Sequence, residues 1–128
     1  MKMIWVTFQK KGFHRYPDAP EDVSYLRAVH RHIFKFKVGV EVTHDNRDIE
    51  FHQFLNWLEG LFAESVLNVD YKSCEMIAND IYAKIEEEFG ALRCFISVAE
   101  DGECGAFMTY GFDDPKTEQM VALAAEGE

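Results

Sequence analysis

From Ile33 to Thr43 apolar and polar positions alternate along the chain. Phe34, Phe36, Val38, Val40 and Val42 fall on one face, and Lys35, Lys37 and Glu41 on the other. A period of two predicts a half-buried strand. "MIWVTFQ", residues 3 to 9, reads as an earlier strand, and residues 12 to 26, with two prolines and several acids, read as a long connection. The pattern then changes. Phe51, Phe54, Leu55, Leu58, Leu61 and Phe62 recur at three- and four-residue spacing, which predicts an amphipathic helix with Asp48 as its N-cap. A second helix is expected from Ser73, with Ile77, Ile81, Ile85 and Phe89 as its apolar stripe and Gly90 ending it. Glu86, Glu87 and Glu88 oppose its dipole and are expected to be solvated. In "LRCFISVAE" Leu92, Cys94, Ile96 and Val98 share a face, "DGE" makes a hairpin turn, and "CGAFMTYGF" returns antiparallel. Phe34, Phe36, Phe51 and Phe54 read as core.

The predicted order is β-β-α-α-β-β, an α+β architecture with a four-stranded antiparallel sheet and two helices on one face. Residues 1–113 form one domain in this reading. Residues 114–128 form an acidic C-terminal tail, weakly helical from Thr117 to Ala125 and frayed.

A chain of 128 residues that is 48% hydrophobic can bury a core of its own. The absence of any run of about 18 apolar residues argues against a membrane span. Three cysteines without CxxC spacing argue against a disulfide framework or a cysteine zinc site, so a reducing cytoplasm is expected. The net charge of −10 disfavours extended nucleic acid as a partner. Lysine and arginine nevertheless concentrate before residue 50, which leaves room for a small anionic ligand there.

His30 and His32 flank Arg31 at the start of the alternating strand. Residues i and i+2 of a strand project to one side, so both imidazoles can converge on one ion. His14, after the first strand, is the best-placed third nitrogen ligand; His44 and His52 cannot easily join. The alternative is that both rings of the pair are merely exposed polar residues. Glu100 also has two readings. The alternation of its strand puts it on the buried side, where a lone carboxylate is costly, or else it is the first residue of the turn. A sheltered carboxylate wants two N–H donors, and a guanine or pterin edge offers two in parallel. Cys74, at a helix start, is placed for a lowered thiol pKa in principle, yet no signature pairs it with a base, and packing is its expected role. Cys94 reads as core.

These elements in this order resemble the 6-pyruvoyltetrahydropterin synthase and 6-carboxytetrahydropterin synthase family, the T-fold. The resemblance rests on "FHRYP", "HRHIFKFKVGVEV", "IEFHQFL", "VLNVD", "SCEMIAND" and "ISVAED", and covers roughly residues 4 to 111. It implies zinc held by His14, His30 and His32, a heterocycle anchored by Glu100, and a homo-oligomer, a hexamer or another assembly, whose sheets join into a barrel. Three positions depart from the family. Leu26 stands where the catalytic cysteine is expected, Ala63 and Glu64 where an Asp-His pair is expected, and Arg31 replaces a glycine. A leucine cannot transfer protons. The resulting expectation is a protein that binds a purine-, pterin- or nucleotide-like small molecule at subunit interfaces without the family's usual catalysis, with Arg15, Arg27 and Arg31 available to a ligand phosphate. The alternative is a zinc-dependent synthase or lyase acting on a dihydroneopterin triphosphate derivative. Its general base would then come from a new position, His52, Glu64 or Cys104.

Overall fold

β-Strands occupy the alternating segments and helices the three-four-spaced ones. The computed structural model describes residues 1–62, 64 and 67–126. Strand β1 (Lys2–His14) pairs antiparallel with β2 (His30–Val42), and a kinked 3-10 segment (Glu21–Arg27) lies in the connection. Helix α1 (Phe51–Gly60), a short strand β3 (Leu67–Asp70) and helix α2 (Cys74–Phe89) follow. Strands β4 (Cys94–Glu100) and β5 (Cys104–Tyr110) form the hairpin, and helix α3 (Pro115–Glu126) closes the described chain. The sheet order is β3-β1-β2-β4-β5.

The even-numbered face of β2 is the core. Phe34, Phe36, Val38, Val40 and Val42 are all buried, and the first four share one cluster with Phe54 and Leu58 of α1 and Ile77, Ile81 and Ile85 of α2. Ser73 caps α2 by accepting from the Met76 N–H at 3.2 Å, and Gly90 ends it at φ 87°. Each buried isoleucine contributes about 1.5–3 kcal/mol, against about 0.3–1 kcal/mol for an acid at the wrong helix end. The stripe therefore outweighs Glu86, Glu87 and Glu88, which are exposed.

The structure corrects five expectations. The sheet has five strands rather than four, because β3 adds to β1 in parallel over Gly12–His14. β1 runs on through the glycine to His14, and β2 begins three residues early, at His30, because the two ends pair with each other. The N-cap of α1 is Glu50, which accepts from the Gln53 N–H at 2.7 Å; Asp48 instead accepts from Thr43 N and Oγ1 at 2.7 and 2.8 Å. Phe51, one residue inside α1, is 49% exposed rather than core, because the core-facing stripe starts at Phe54. Finally, the helix expected over Thr117–Ala125 is present, as Pro115–Glu126, but it packs on the opposite face of the sheet instead of fraying. Val121 is buried, Lys37 Nζ donates to the Ala125 carbonyl at 3.1 Å, and Thr109 Oγ1 donates to Glu118 at 2.7 Å. Helices thus cover both faces.

Candidate metal centre

The last residue of β1 and the first of β2 are both histidine, and the ladder sets His14 directly opposite His30. His32 is two residues further along β2 on the same face. The ring centroids lie 4.5 Å (His14–His30), 5.0 Å (His14–His32) and 4.8 Å (His30–His32) apart, all edge-on. Phe34 forms the floor, with its centroid 5.3 Å from that of His14 and 6.1 Å from that of His32. One ring nitrogen from each histidine lies within 4.8 Å of the other two. A tetrahedral shell with bonds of about 2.0–2.1 Å has edges of roughly 3.3 Å, so closing on an ion draws the rings inward.

Each ring is oriented by an oxygen. His14 Nδ1 lies 3.3 Å from the Lys72 carbonyl, His30 Nδ1 2.8 Å from the Ala28 carbonyl, and His32 Nδ1 2.6 Å from Asp101 Oδ2. Carbonyl and carboxylate oxygens only accept, so Nδ1 is the donor in all three, and the other nitrogen, Nε2, keeps its lone pair in the neutral ring. Nε2 of His14 and of His32 is buried without a hydrogen-bond partner among the described residues. Buried polar atoms are rarely left orphaned. Metal-ligating histidines characteristically donate their second ring N–H to such oxygens. The three-histidine cluster can therefore hold a metal ion.

Electrostatics around the cluster follow from burial and from these bonds. Burial pushes His14 below the ordinary histidine pKa, opposed by the Lys72 carbonyl and Glu100. The Ile33 N–H, donating to Asp101 Oδ1 at 2.8 Å, holds the Asp101 carboxyl below its usual range, helped by His32. Asp101 also has φ 58°, and with Gly102 at φ 73° it makes the tight β4–β5 turn. Sequence patterning reads this Asp-Gly pair only as a turn; that it also orients His32 depends on a contact across 69 residues.

Glu100, the last residue of β4, is neither remote from the histidines nor a free turn residue. Oε1 lies 3.2 Å from His14 Nε2 and Oε2 3.5 Å from His32 Nε2. The buried thiol of Cys74 is 3.9 Å from Oε1. Burial first, and Glu100 second, push that thiol up to about 12, the reverse of what a helix N-terminus alone would do. Cys94 is buried in the core, as expected, and burial pushes its thiol to about 12 as well.

Beside the cluster a cleft of about 530 Å³ is lined by residues that include His14, His30, Glu100, Cys74, Arg15 and Leu26. The three arginines separate. Arg15 borders the cleft, with Nε bonded to Asp70 at 2.8 Å. Arg27 binds the Ala19 carbonyl and Glu21. Arg31 is exposed and, by strand alternation, lies on the face opposite His30 and His32. His44 and His52 pair locally with Asp48 and Glu50, away from the cluster. Glu64 is exposed, and Ala63 lies outside the described residues. A second cleft, of about 560 Å³, lies under α3 and is lined by Trp5, Phe95, Met120 and Lys37 among others. Among the described residues it brings together no comparable ligand set.

Among the described residues no helix is long and apolar enough to cross a membrane. Compared with known protein families the chain matches no family model, and no curated protein matches it.

Proposed function

We propose that this chain is a T-fold protein that holds zinc through His14, His30 and His32 and binds a purine-, pterin- or nucleotide-like molecule in the adjoining cleft. The observation that carries this reading is the orientation of the three rings. Each Nδ1 is committed to an oxygen while the cluster opens on a cleft large enough for a bicyclic heterocycle. Three imidazoles suit zinc, which would act there as a Lewis acid or as an anchor for a ligand oxygen. Glu100 offers the carboxylate for an N–H edge, and Arg15 is the arginine best placed for a phosphate. Leu26 lines the same cleft. An apolar, non-ionisable side chain at that position supports binding without the proton transfers of the family the chain resembles.

Assembly into a barrel belongs to the same proposal. β3 covers β1 only over Gly12–His14, and β5 is the other end of the sheet, so both ends offer backbone for pairing with further copies. The second reading, a zinc-dependent synthase or lyase, draws on the Cys74 thiol facing the cleft. Held protonated, that thiol can donate a proton but not attack.

Native mass spectrometry of the protein loaded with zinc, with neopterin and guanosine triphosphate as probes, tests both readings. An oligomer with one zinc per chain and stoichiometric retention of a probe supports the binding reading. Turnover of dihydroneopterin triphosphate that is lost in Cys74→Ser supports the enzyme. A metal-free monomer retaining neither probe overturns both.

A further inference from the structure

We infer that Glu100 is itself a metal ligand, so that the resting site is a closed set of four donors: His14, His30, His32 and Glu100. This rests on the metal reading above and goes beyond it, because three histidines alone would leave the fourth position to water or substrate.

The argument starts from what faces what. With Nδ1 the donor in each ring, Nε2 of the neutral ligand form carries a lone pair. Two of those lone-pair atoms face the two oxygens of one carboxylate, at 3.2 and 3.5 Å, and neither nitrogen has a hydrogen bond. Acceptors set against acceptors repel one another. A cation shared between them turns the same arrangement into an attraction. The two separations also bracket the roughly 3.3 Å edge expected between ligands on one tetrahedral ion with bonds of about 2.0–2.1 Å.

Among the described residues, no lysine or arginine lining the cleft is unpaired to take the place of that cation. Of the basic side chains lining the cleft, Arg15 is paired with Asp70 and Lys72 with Asp80. The backbone delivers Glu100 to this place independently. β4 pairs Glu100 with Phe34 of β2, and Phe34 is the floor beneath His14 and His32. The carboxylate therefore reaches the cluster from the strand next to the one that carries two of the histidines.

The consequence is an exchange. A carboxylate bound to the metal cannot at the same time accept two N–H groups from a heterocycle, so ligand entry requires Glu100 to leave the ion. The site changes from four protein donors to three as the cleft fills.

Cobalt(II) titration followed by visible absorption, with zinc competition by a chelator, tests this on the wild-type protein and on Glu100→Gln. The expected result is a changed cobalt spectrum and zinc affinity lower by about tenfold or more in the variant. Identical spectra and affinities would overturn the inference while leaving the three-histidine site intact. Failure of the wild-type protein to bind either metal would overturn the metal reading itself, and this inference with it. A crystal structure of the zinc-loaded wild-type protein reads the same point without any variant. A carboxylate oxygen of Glu100 within about 2.2 Å of the ion supports the inference, and any longer separation overturns it.

Discussion

His14 and His30 face each other on the last rung of the β1–β2 ladder, with ring centroids 4.5 Å apart. The pairing makes the cluster a product of strand register, so a single substitution dismantles it without removing core. His30→Ala is expected to fold and to lose zinc affinity by more than about 100-fold, exceeding the roughly 10–100-fold typical of outer-shell changes. In the wild type, zinc at about 100 times its Kd adds about 2.7 kcal/mol of stability, reversed by a chelator. Thermal unfolding with and without zinc checks both. A wild-type melting curve indifferent to zinc would sink the metal centre.

Asp101 acts on the cluster through His32. Its Oδ2 fixes the ring at 2.6 Å while its Oδ1 accepts from Ile33 N at 2.8 Å. Asp101→Ala removes both acceptors and frees the ring to turn. Zinc affinity is expected to fall by about 10–100-fold with the stoichiometry kept. Unchanged affinity in a chelator competition would show that the orientation does not matter.

The three thiols differ by environment. Cys74 and Cys94 are buried with their thiols pushed to about 12, whereas Cys104 is exposed. At pH 8 a disulfide reagent is therefore expected to label Cys104 in the native protein, and the other two only after unfolding. Peptide mapping after brief labelling reads the result, and rapid modification of Cys74 in the native state would contradict the burial described here.

Gly39 lies opposite Phe95 in the β2–β4 ladder, and the Phe95 ring crosses over it. A Cβ at Gly39 would sit 1.9 Å from a ring carbon. Gly39→Ala must displace the ring from beneath α3, at a cost of about 1–3 kcal/mol. Chemical denaturation measures it, and a variant as stable as the wild type would mean that the ring moves freely.

Asp48 sets part of the acid response. Thr43 N and Oγ1 bond to its carboxylate and hold its pKa below the ordinary 3.8. Because the folded pKa is the lower one, this stabilisation is present above the unfolded value and is lost as pH falls through the folded one. Asp48→Asn is expected to be less stable than the wild type at pH 7 and to show a shallower loss below about pH 4. Parallel pH profiles for the two proteins would refute the assignment.

How much of this was legible in the chain differs from element to element. The buried face of β2, the stripe Ile77, Ile81 and Ile85, and the start of α2 at Ser73 and its end at Gly90 all follow from local periodicity and local backbone chemistry, and the structure has each of them, with Ser73 as the N-cap. The His30–His32 pair follows equally, since i and i+2 share a strand face whatever surrounds them. Choosing Glu50 over Asp48 as the cap of α1 was not legible, because cap preference favours Asp over Glu and only the start of the packed helix overrides it. The fifth strand was hidden for another reason. β3 has four residues, too few for a periodicity, and exists because β1 presents an edge more than 50 positions away.

The same division runs through the candidate site. Periodicity alone was enough for an α+β chain with an apolar core and two histidines on one face of a strand, because those properties depend on neighbours a few residues apart. His14 and Glu100 were already candidates in the sequence, but tertiary structure alone decided that His14 stands on the rung facing His30, that Asp101 and the Ala28 and Lys72 carbonyls orient the rings, and that the Glu100 carboxylate lies against His14 and His32. It also decided that α3 packs on the second face of the sheet. Each of these is a contact between groups brought together by strand pairing or helix docking, and side-chain period carries no information about which distant segment will supply the partner.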